Sequence, residues 1–139
     1  FANALFENQS KSNDNSWITL ELRGTTANSS AIGAQIKIIV TQTDGQTRQI
    51  VRTIGTGGSF GSGSLQAEIG LGKAREIKLL SIRWPNAQQK TETYKNLVIN
   101  NSYRIVEDKP PKILNREPVA FRKMLEMVKR NTVNLNYKF

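Results

Sequence analysis

The residue types that most often carry chemistry in enzymes are largely missing from this chain. It contains neither cysteine nor histidine. Disulfides, thiolate nucleophiles and cysteine-ligated metal sites are therefore excluded, and so is the usual general base near neutral pH, which is also the commonest metal ligand. The eleven Asp and Glu residues are scattered along the chain, and their spacing predicts no metal site and no cofactor.

One segment matches a catalytic pattern. Gly57-Gly58-Ser59-Phe60-Gly61 fits G-x-S-x-G, which places a nucleophilic serine on a tight strand-to-helix turn beside a histidine base. The chain has no histidine, and no helical pattern follows. Residues 55–64 contain five glycines and four Ser or Thr, a composition that produces the pattern by chance. We interpret residues 55–64 as a loop, since each ordered glycine loses much conformational entropy, and predict no catalytic residue.

Carboxylates are the remaining candidates for catalysis. Glycoside hydrolysis needs only two of them several ångströms apart, so this activity stays as a minor alternative. Glu107-Asp108 is the only adjacent acidic pair, and we interpret it as a solvated strand end. Four aromatic side chains could line a sugar-binding platform, although their positions within predicted strands favour burial in a core. They are Trp17, Trp84, Tyr94 and Tyr103.

The net charge of +9 is concentrated near the C-terminus. Residues 1–108 carry 12 Lys and Arg against 9 Asp and Glu, whereas residues 109–139 carry 8 against 2. Aromatic residues are not interleaved with these cations as base stacking would require, so a solvated or partner-facing surface is favoured over a nucleic-acid site. Binding of nucleic acid or another anionic surface by this basic tail, residues 109–139, stays as the alternative.

The elements that must position these residues are short β-strands. In residues 17–22, Ile18, Leu20 and Leu22 share one face at period two. Asp44-Gly45 separates two β-rich runs and predicts a hairpin with a type I′ turn, which needs positive φ at both central residues. The predicted strands are residues 17–22, 34–43, 46–54, 65–69, 76–84, 91–98 and 103–106. About seven strands without an intervening helical pattern predict an all-β fold, an antiparallel sandwich or barrel rather than a βαβ fold. The antiparallel sandwich is our leading hypothesis.

The pattern changes after Pro110-Pro111. Apolar residues at helical spacing predict a short amphipathic helix over about 118–130, with Pro118 in its first turn. Its apolar positions are Phe121, Met124, Leu125 and Val128. Residues 133–139 then alternate as a possible edge strand.

These patterns divide the chain into three parts. Residues 1–8 are predicted to be a linker from a preceding domain, residues 9–108 the sandwich, and residues 109–139 a basic extension. No run approaches the roughly 18 apolar residues of a membrane-spanning helix, so no membrane span is predicted.

Several segments, in order along the chain, resemble the ASPIC and UnbV domain, and the resemblance covers residues 6–107. The segments are residues 6–8, 15–20, 24–25, 28–34, the Gly/Ser loop into Leu65, and residues 69–72, 82–85 and 101–107. Nine positions within them form a structural motif. They are Trp17, Gly24, Asn28, Gly33, Gly70, Gly72, Trp84, Pro85 and Tyr103.

Physical reasons for several motif positions can be given without the family. Gly33 allows close backbone approach where a loop enters a buried strand. Asn28 can bond its own turn, and Gly70 and Gly72 suit positive φ at a strand end. The family has no established catalytic residue to transfer, so no site residue beyond this motif is assigned.

The resemblance implies a function as well as a fold. Domains of this family follow FG-GAP or VCBS propeller repeats in secreted proteins, so residues 1–8 would be the exit from such a propeller. We expect a non-catalytic accessory domain outside the cytoplasm, secreted, periplasmic or on the cell surface. It would bind a protein or glycan, or cap the propeller, and loops 24–33 and 55–64 would project from one end as its binding surface.

Overall fold

A computed structural model describes residues 14–58 and 61–115. Four predictions lie outside the described residues: the linker 1–8, Ser59 of the G-x-S-x-G segment, the helix over 118–130 and the edge strand 133–139. Among the described residues, no helix is long and apolar enough to cross a membrane.

The described chain forms two four-stranded sheets and one small ladder. The first sheet has the order β10-β9-β1-β6, the second has the order β3-β2-β7-β8, and β4 pairs with β5 alone. The strands are β1 (Ser16–Arg23), β2 (Gln35–Gln42), β3 (Thr47–Thr53), β4 (Gly57–Gly58), β5 (Gly61–Ser62), β6 (Gln66–Gly72), β7 (Ala74–Arg83), β8 (Thr91–Tyr94), β9 (Asn101–Val106) and β10 (Lys112–Ile113).

One buried core joins the two sheets, which makes the fold a sandwich. Alternation at period two turns Ile18 and Leu20 of β1 inward toward Ile36 and Ile38 of β2, and all four are fully buried. Trp84 is the largest fully buried side chain. Burying one Ile or Leu side chain contributes about 1.5–3 kcal/mol. The alternating apolar positions therefore supply much of the free energy that drives folding. The predicted all-β sandwich is confirmed.

The pairing within the sheets is antiparallel with one exception. β1 pairs with β9 in parallel, with Leu20 opposite Tyr103, while its other neighbour, β6, is antiparallel. A parallel pair needs a long crossover connection, and the whole second sheet lies between β1 and β9 in sequence. The parallel pair therefore brings the C-terminal ends of β1 and β9 to the same end of the sandwich.

The hairpin predicted at Asp44-Gly45 is present between β2 and β3, but its turn differs from the prediction. Of the two central residues, only Gly45 has positive φ, +82°. The prediction of a type I′ turn, which requires positive φ at both, is therefore wrong. The Gly45 N–H donates to the Gln42 carbonyl at 3.0 Å, and Gln42 N–H donates to the Gln46 carbonyl. Three residues, 43–45, therefore lie between the hydrogen-bonded Gln42 and Gln46, and such a loop with a left-handed glycine at its end also matches the twist of the strands.

Two other predicted elements are shorter or more ordered than expected. The strand predicted over 91–98 ends at Tyr94, because Asn96 takes a left-handed conformation with φ of +60° and turns the chain. Within residues 55–64, predicted to be a loop, Gly57–Gly58 pairs with Gly61–Ser62 in a minimal antiparallel ladder.

Four connections meet at one end of the sandwich, which we call the loop end. They are residues 24–34, 54–65, 84–90 and 107–111. The antiparallel pairing of β1 with β6 and of β2 with β7, and the parallel pairing of β1 with β9, require this arrangement. The hairpin turn at residues 43–46 lies at the opposite end.

Candidate binding site at the loop end

The connection from β1 to β2 is held by one buried carboxylate. Glu107 directly follows β9 and is fully buried. Its Oε2 accepts hydrogen bonds from three consecutive backbone N–H groups, those of Thr25 at 2.8 Å, Thr26 at 2.9 Å and Ala27 at 2.9 Å. Converging backbone amides of this kind form a concavity that suits an anionic oxygen.

Side chains complete the coordination of Glu107. The Thr26 hydroxyl donates to Oε1 at 2.7 Å, and the Asn86 amide donates to the same oxygen at 2.7 Å. Burial alone would raise the pKa of Glu107, but the hydrogen bonds from Ala27, Thr26, Thr25 and Asn86 outweigh it and lower the pKa to about 2. The carboxylate is thus ionised at neutral pH and ties residues 25–27 and the β7–β8 turn to the end of β9.

The interpretation of Glu107-Asp108 as a solvated strand end is wrong for Glu107 and correct for Asp108, which is exposed. The sequence did contain a signal. Tyr103, Ile105 and Glu107 share one face at period two, and both Tyr103 and Ile105 are core residues. A carboxylate that continues an inward-facing series needs partners, because an isolated buried charge is very costly.

Gly24 is required by the way this connection turns. A Cβ atom built at Gly24 would lie 2.3 Å from the backbone oxygen of Asn28, closer than any real contact. The chain therefore folds back tightly between Gly24 and Asn28, which brings the three N–H groups of residues 25–27 to the same side.

Asn28 and Gly33 fix the second half of the connection. The Asn28 side chain accepts from Ile32 N–H at 2.8 Å and donates to the Ile32 carbonyl at 2.9 Å, so the prediction that Asn28 bonds its own turn is confirmed. Gly33 has φ of +93°, its Cβ position lies 3.4 Å from Cβ of Pro85, and its N–H donates to the Ile54 carbonyl. The Cβ contact at Gly33 is an ordinary van der Waals distance, so its positive φ, and not a close approach of the backbone, is what favours glycine there.

A second carboxylate organises the neighbouring turn. Glu92 of β8 accepts hydrogen bonds from the Trp84 indole at 2.8 Å, the Tyr94 hydroxyl at 2.6 Å and Asp108 N–H at 2.9 Å. Burial and the hydrogen bond to Glu92 raise the pKa of the Tyr94 phenol. Lys90 forms ion pairs with both Glu92 and Asp108. These bonds occupy both oxygens of Glu92. Glu92, Tyr94, Lys90 and Asp108 line a groove of 530 Å³ together with Pro110 and Pro111.

An open cleft of 210 Å³, which we call the loop-end cleft, is lined by residues of loops 24–34 and 54–65 and of the adjoining ends of β1 and β6. Its lining residues are Glu21, Leu22, Arg23, Ser30, Ser64, Leu65 and Gln66. A second cavity of 280 Å³ under the Gly/Ser loop shares Ser64 and Gln66 with it. Hydroxyl, amide, carboxylate and guanidinium groups therefore surround one open space, with the exposed side chain of Leu65 at its rim.

The carboxylate of Glu21 in this cleft pairs with two guanidinium groups, those of Arg23, which also lines the cleft, and Arg104, which does not. Glu21 accepts from Arg104 at 3.0 Å and from Arg23 at 2.9 Å. The hydrogen bond from Arg104, followed by that from Arg23, outweighs partial burial and lowers the pKa of Glu21. The cleft thus contains an ionised carboxylate whose charge is balanced by two guanidinium groups.

The four aromatic residues do not form a platform. Trp84 and Tyr103 are buried in the core, and the Tyr103 hydroxyl accepts from Val98 N–H at 2.8 Å. Tyr94 is half-buried against Glu92. Trp17 is 44% exposed on the outer face of β1, where it lies opposite Gly70 of β6. Burial in the core is therefore confirmed for Trp84 and Tyr103 and wrong for Trp17.

The two glycines predicted to need positive φ behave differently. Gly72 has φ of +64°, as expected at the end of β6, but Gly70 does not take positive φ. A Cβ at Gly70 would meet nothing within 4 Å. The positive-φ reason for Gly70 is therefore wrong, and nothing in the structure requires glycine there.

Within the described ranges, no group of three or more Asp, Glu, His or Cys residues could hold a metal ion. Most of the basic tail lies outside those ranges, and only Lys109 and Lys112 of its eight cations fall within them. Anion binding by the tail therefore stays a prediction.

A family model described as ASPIC and UnbV matches residues 24–112. No curated protein and no solved structure matched the chain. The matched residues begin at Gly24, include the Asn28 turn and contain Glu107, so the carboxylate and the loop that it holds lie within the domain that the family shares. Because the match spans more than half of the sequence, this chain belongs to the ASPIC and UnbV family.

Proposed function

We propose that this domain is a non-catalytic interaction module and that the loop end is its binding surface. The observation that carries the proposal is the use of a buried carboxylate, Glu107, to fix a surface loop. Five of its hydrogen bonds organise residues 25–27, and those residues belong to the same connection that supplies Ser30 to the loop-end cleft. Loops fixed before a ligand arrives lose less entropy on binding.

The chemistry of the cleft favours a ligand rich in hydroxyl groups. Ser30 and Ser64 offer hydroxyl groups as donors and acceptors, and Leu65 gives a small apolar contact. A volume of 210 Å³ is below the roughly 300–1,000 Å³ of sites for drug-sized ligands. The cleft therefore suits one sugar unit of a glycan or one side chain of a protein partner.

Several features support a non-catalytic role. Glu107 is buried and ionised, Glu92 has both oxygens engaged, and Glu21 is balanced by Arg23 and Arg104. A general acid needs a raised pKa and a reachable proton, whereas the pKa values of Glu21 and Glu107 are lowered. These carboxylates serve to position backbone and neighbouring side chains.

The wider context is also part of the proposal. Family membership is consistent with a domain that follows propeller repeats in an exported protein, where it would bind a glycan or protein or cap the propeller. The absence of cysteine is compatible with this location, since the sandwich has a continuous core that needs no cross-link.

An NMR titration of the 139-residue chain tests the binding surface. The probes are maltohexaose, cellohexaose and chitohexaose, added separately at millimolar concentration. We expect amide shifts concentrated in residues 22–33 and 54–66 for at least one of them. Ser64→Trp, which fills the loop-end cleft, should weaken that binding at least 10-fold.

Thr43→Trp is the matched control, because it adds the same side chain at an exposed position of the opposite end. It should leave the affinity within 2-fold of the parent protein. Shifts centred outside the loop end, equal losses in the two variants, or no response to any of the three sugars would overturn a glycan site at the loop-end cleft.

A further inference from the structure

The two sheets differ in how their charges are compensated. In the strands of the first sheet, Arg23 and Arg104 both form ion pairs with Glu21. The strands of the second sheet carry six cations, and none of them forms an ion pair with any described residue. They are Lys37, Arg48, Arg52, Arg75, Lys78 and Arg83. Among the described strands, the second sheet therefore carries more cations without an ion pair than the first, where Lys112 of β10 is the one such cation.

Three of these cations lie on the outer face of the second sheet. Lys37 of β2 faces outward with its neighbours Val51 and Ser81, and Arg83 lies two residues beyond Ser81 on β7. Lys78 occupies a bulge in β7, and its ammonium group donates to the Thr47 hydroxyl at 3.5 Å, which places it on the same side. We call this surface the basic face, defined by Lys37, Lys78 and Arg83.

The three cations form a line and do not converge on one point. A strand rises about 3.4 Å per residue, so Arg83 lies about 7 Å along the sheet from the level of Lys37. Lys78 lies about 10 Å from that level in the other direction. Such spacing cannot enclose a single small anion. It suits a linear partner that repeats its negative charge.

The surface between the cations is flat and rich in hydrogen-bonding groups. Its other exposed residues are mostly Thr and Gln, namely Gln35, Thr47, Gln49, Thr53, Thr91 and Thr93. The central apolar residues, Ile39 and Leu79, are half-buried, and Val51 is the exposed one. One acid, Glu76, is also exposed on this face, and its carboxylate accepts a hydrogen bond from the Thr41 hydroxyl at 2.7 Å.

We propose that the basic face binds a linear acidic polysaccharide that carries carboxylate or sulfate groups. Cations attract such a polymer over about a Debye length, and the Thr and Gln side chains can bond its hydroxyls. A folded protein partner is disfavoured because the face lacks the large apolar or aromatic anchor typical of interface hot spots. Single-stranded nucleic acid is disfavoured because no aromatic side chain lies there for base stacking.

This proposal is independent of the loop-end cleft, which lies at an end of the sandwich. The two surfaces differ in ligand charge and in salt dependence, since attraction between exposed charges is screened by salt. A ligand of the basic face should therefore bind equally well to the Ser64→Trp variant.

Calorimetric titration of the 139-residue chain with heparin and with polygalacturonate provides the test, with dextran as a neutral polymer. In 50 mM NaCl we expect both acidic polymers to bind and dextran not to bind. The triple variant Lys37→Ala/Lys78→Ala/Arg83→Ala should weaken binding at least 10-fold. Raising NaCl to 300 mM should weaken binding to the parent protein by a similar or larger factor.

The matched control removes the same number of charges elsewhere. Lys95→Ala/Lys109→Ala/Lys112→Ala changes three exposed lysines outside the basic face and should weaken binding less than 3-fold. Equal losses in the two triple variants would show that only net charge matters and would overturn the proposal. Absence of binding to both acidic polymers would overturn it too, as would tighter binding of a 20-base-pair DNA duplex than of heparin.

Discussion

The connections before and after strand β2 differ in where their backbone N–H groups find hydrogen-bond acceptors. At its start, residues 24–34 cross from the first sheet to the second, and at its end, residues 43–46 return within the second sheet. The hairpin takes its hydrogen bonds from its own ladder and from Asp44, whose carboxylate accepts from Gln46 N–H at 2.9 Å. The crossover has no ladder at residues 25–27, and its N–H groups bond to Glu107, about 80 residues away.

The difference shows what a connection between sheets requires. Buried backbone N–H groups need partners, and a chain that leaves one sheet for another has none from neighbouring strands. A carboxylate from a third element supplies three acceptor interactions at once. The crossover therefore depends on the complete tertiary fold, whereas the hairpin depends on local sequence.

Glu107→Gln removes hydrogen bonds that hold the crossover, and we expect it to cause the largest loss of stability among the variants considered. The amide replaces one acceptor oxygen by a donor that faces other donors, and hydrogen bonds to charged groups are worth about 1.5–3 kcal/mol each. We expect the free energy of unfolding in urea to fall by about 3 kcal/mol. Glu21→Gln, whose partners Arg23 and Arg104 are exposed, should cost less than about 1 kcal/mol. Equal losses would contradict the special role of Glu107.

Low pH should have the second-largest effect, because protonation of Glu107 weakens the hydrogen bonds that hold the crossover. Glu107 has a pKa of about 2 in the folded protein, below the ordinary glutamate value of 4.5, so the unfolded state binds more protons between these values. The stabilisation by Glu107 is complete above about pH 4.5 and is lost as the pH falls toward 2. Urea midpoints between pH 6 and pH 2.5 should fall steeply for the parent protein. They should fall less for Glu107→Gln, and parallel curves would contradict this assignment.

Gly24→Ala tests the tight fold of the same connection. Its Cβ would lie 2.3 Å from the Asn28 oxygen, and relief of such overlap costs about 1–3 kcal/mol. Gly70→Ala is the control, because its Cβ meets nothing within 4 Å, and it should change stability by less than about 0.5 kcal/mol. Thermal unfolding of the two variants measures the difference. A comparable loss in both would show that the Gly24 backbone relaxes freely.

The smallest effect is expected at the hairpin. Gly45→Ala places a side chain at φ of +82°, which costs about 1 kcal/mol. Because this turn is closed by local bonds, the loss should leave the NMR shifts of residues 24–34 unchanged. Shift changes in residues 24–34 would contradict the independence of the two connections.

The fold could be predicted from sequence because its signals are local. Alternation at period two placed Ile18, Leu20 and Leu22 on the buried face, and Asp44-Gly45 marked a real hairpin. The end of β8 was predicted four residues late because β-rich composition does not reveal that Asn96 takes positive φ. The turn type was also wrong, since a hairpin can close with one left-handed residue as well as with two.

The candidate site could be predicted only in part. Asn28 bonds within its own turn, so its role was predictable, and loops 24–33 and 55–64 were correctly expected to share one end. The role of Glu107 was not predicted because its donors come from Thr25, Thr26 and Asn86, which are distant in sequence. The contrast between paired and unpaired cations also depends on which strands are neighbours.

The class of fold, the family and most strand positions can be read from the sequence, because backbone propensity and burial periodicity act over a few residues. The parallel pairing of β1 with β9 and the burial of Glu107 become visible only in the folded chain. The same is true of the finding that the cations of the second sheet form no ion pair with a described residue. Each of these depends on contacts between residues far apart in the chain, whose free energies are gained only when the two sheets have come together.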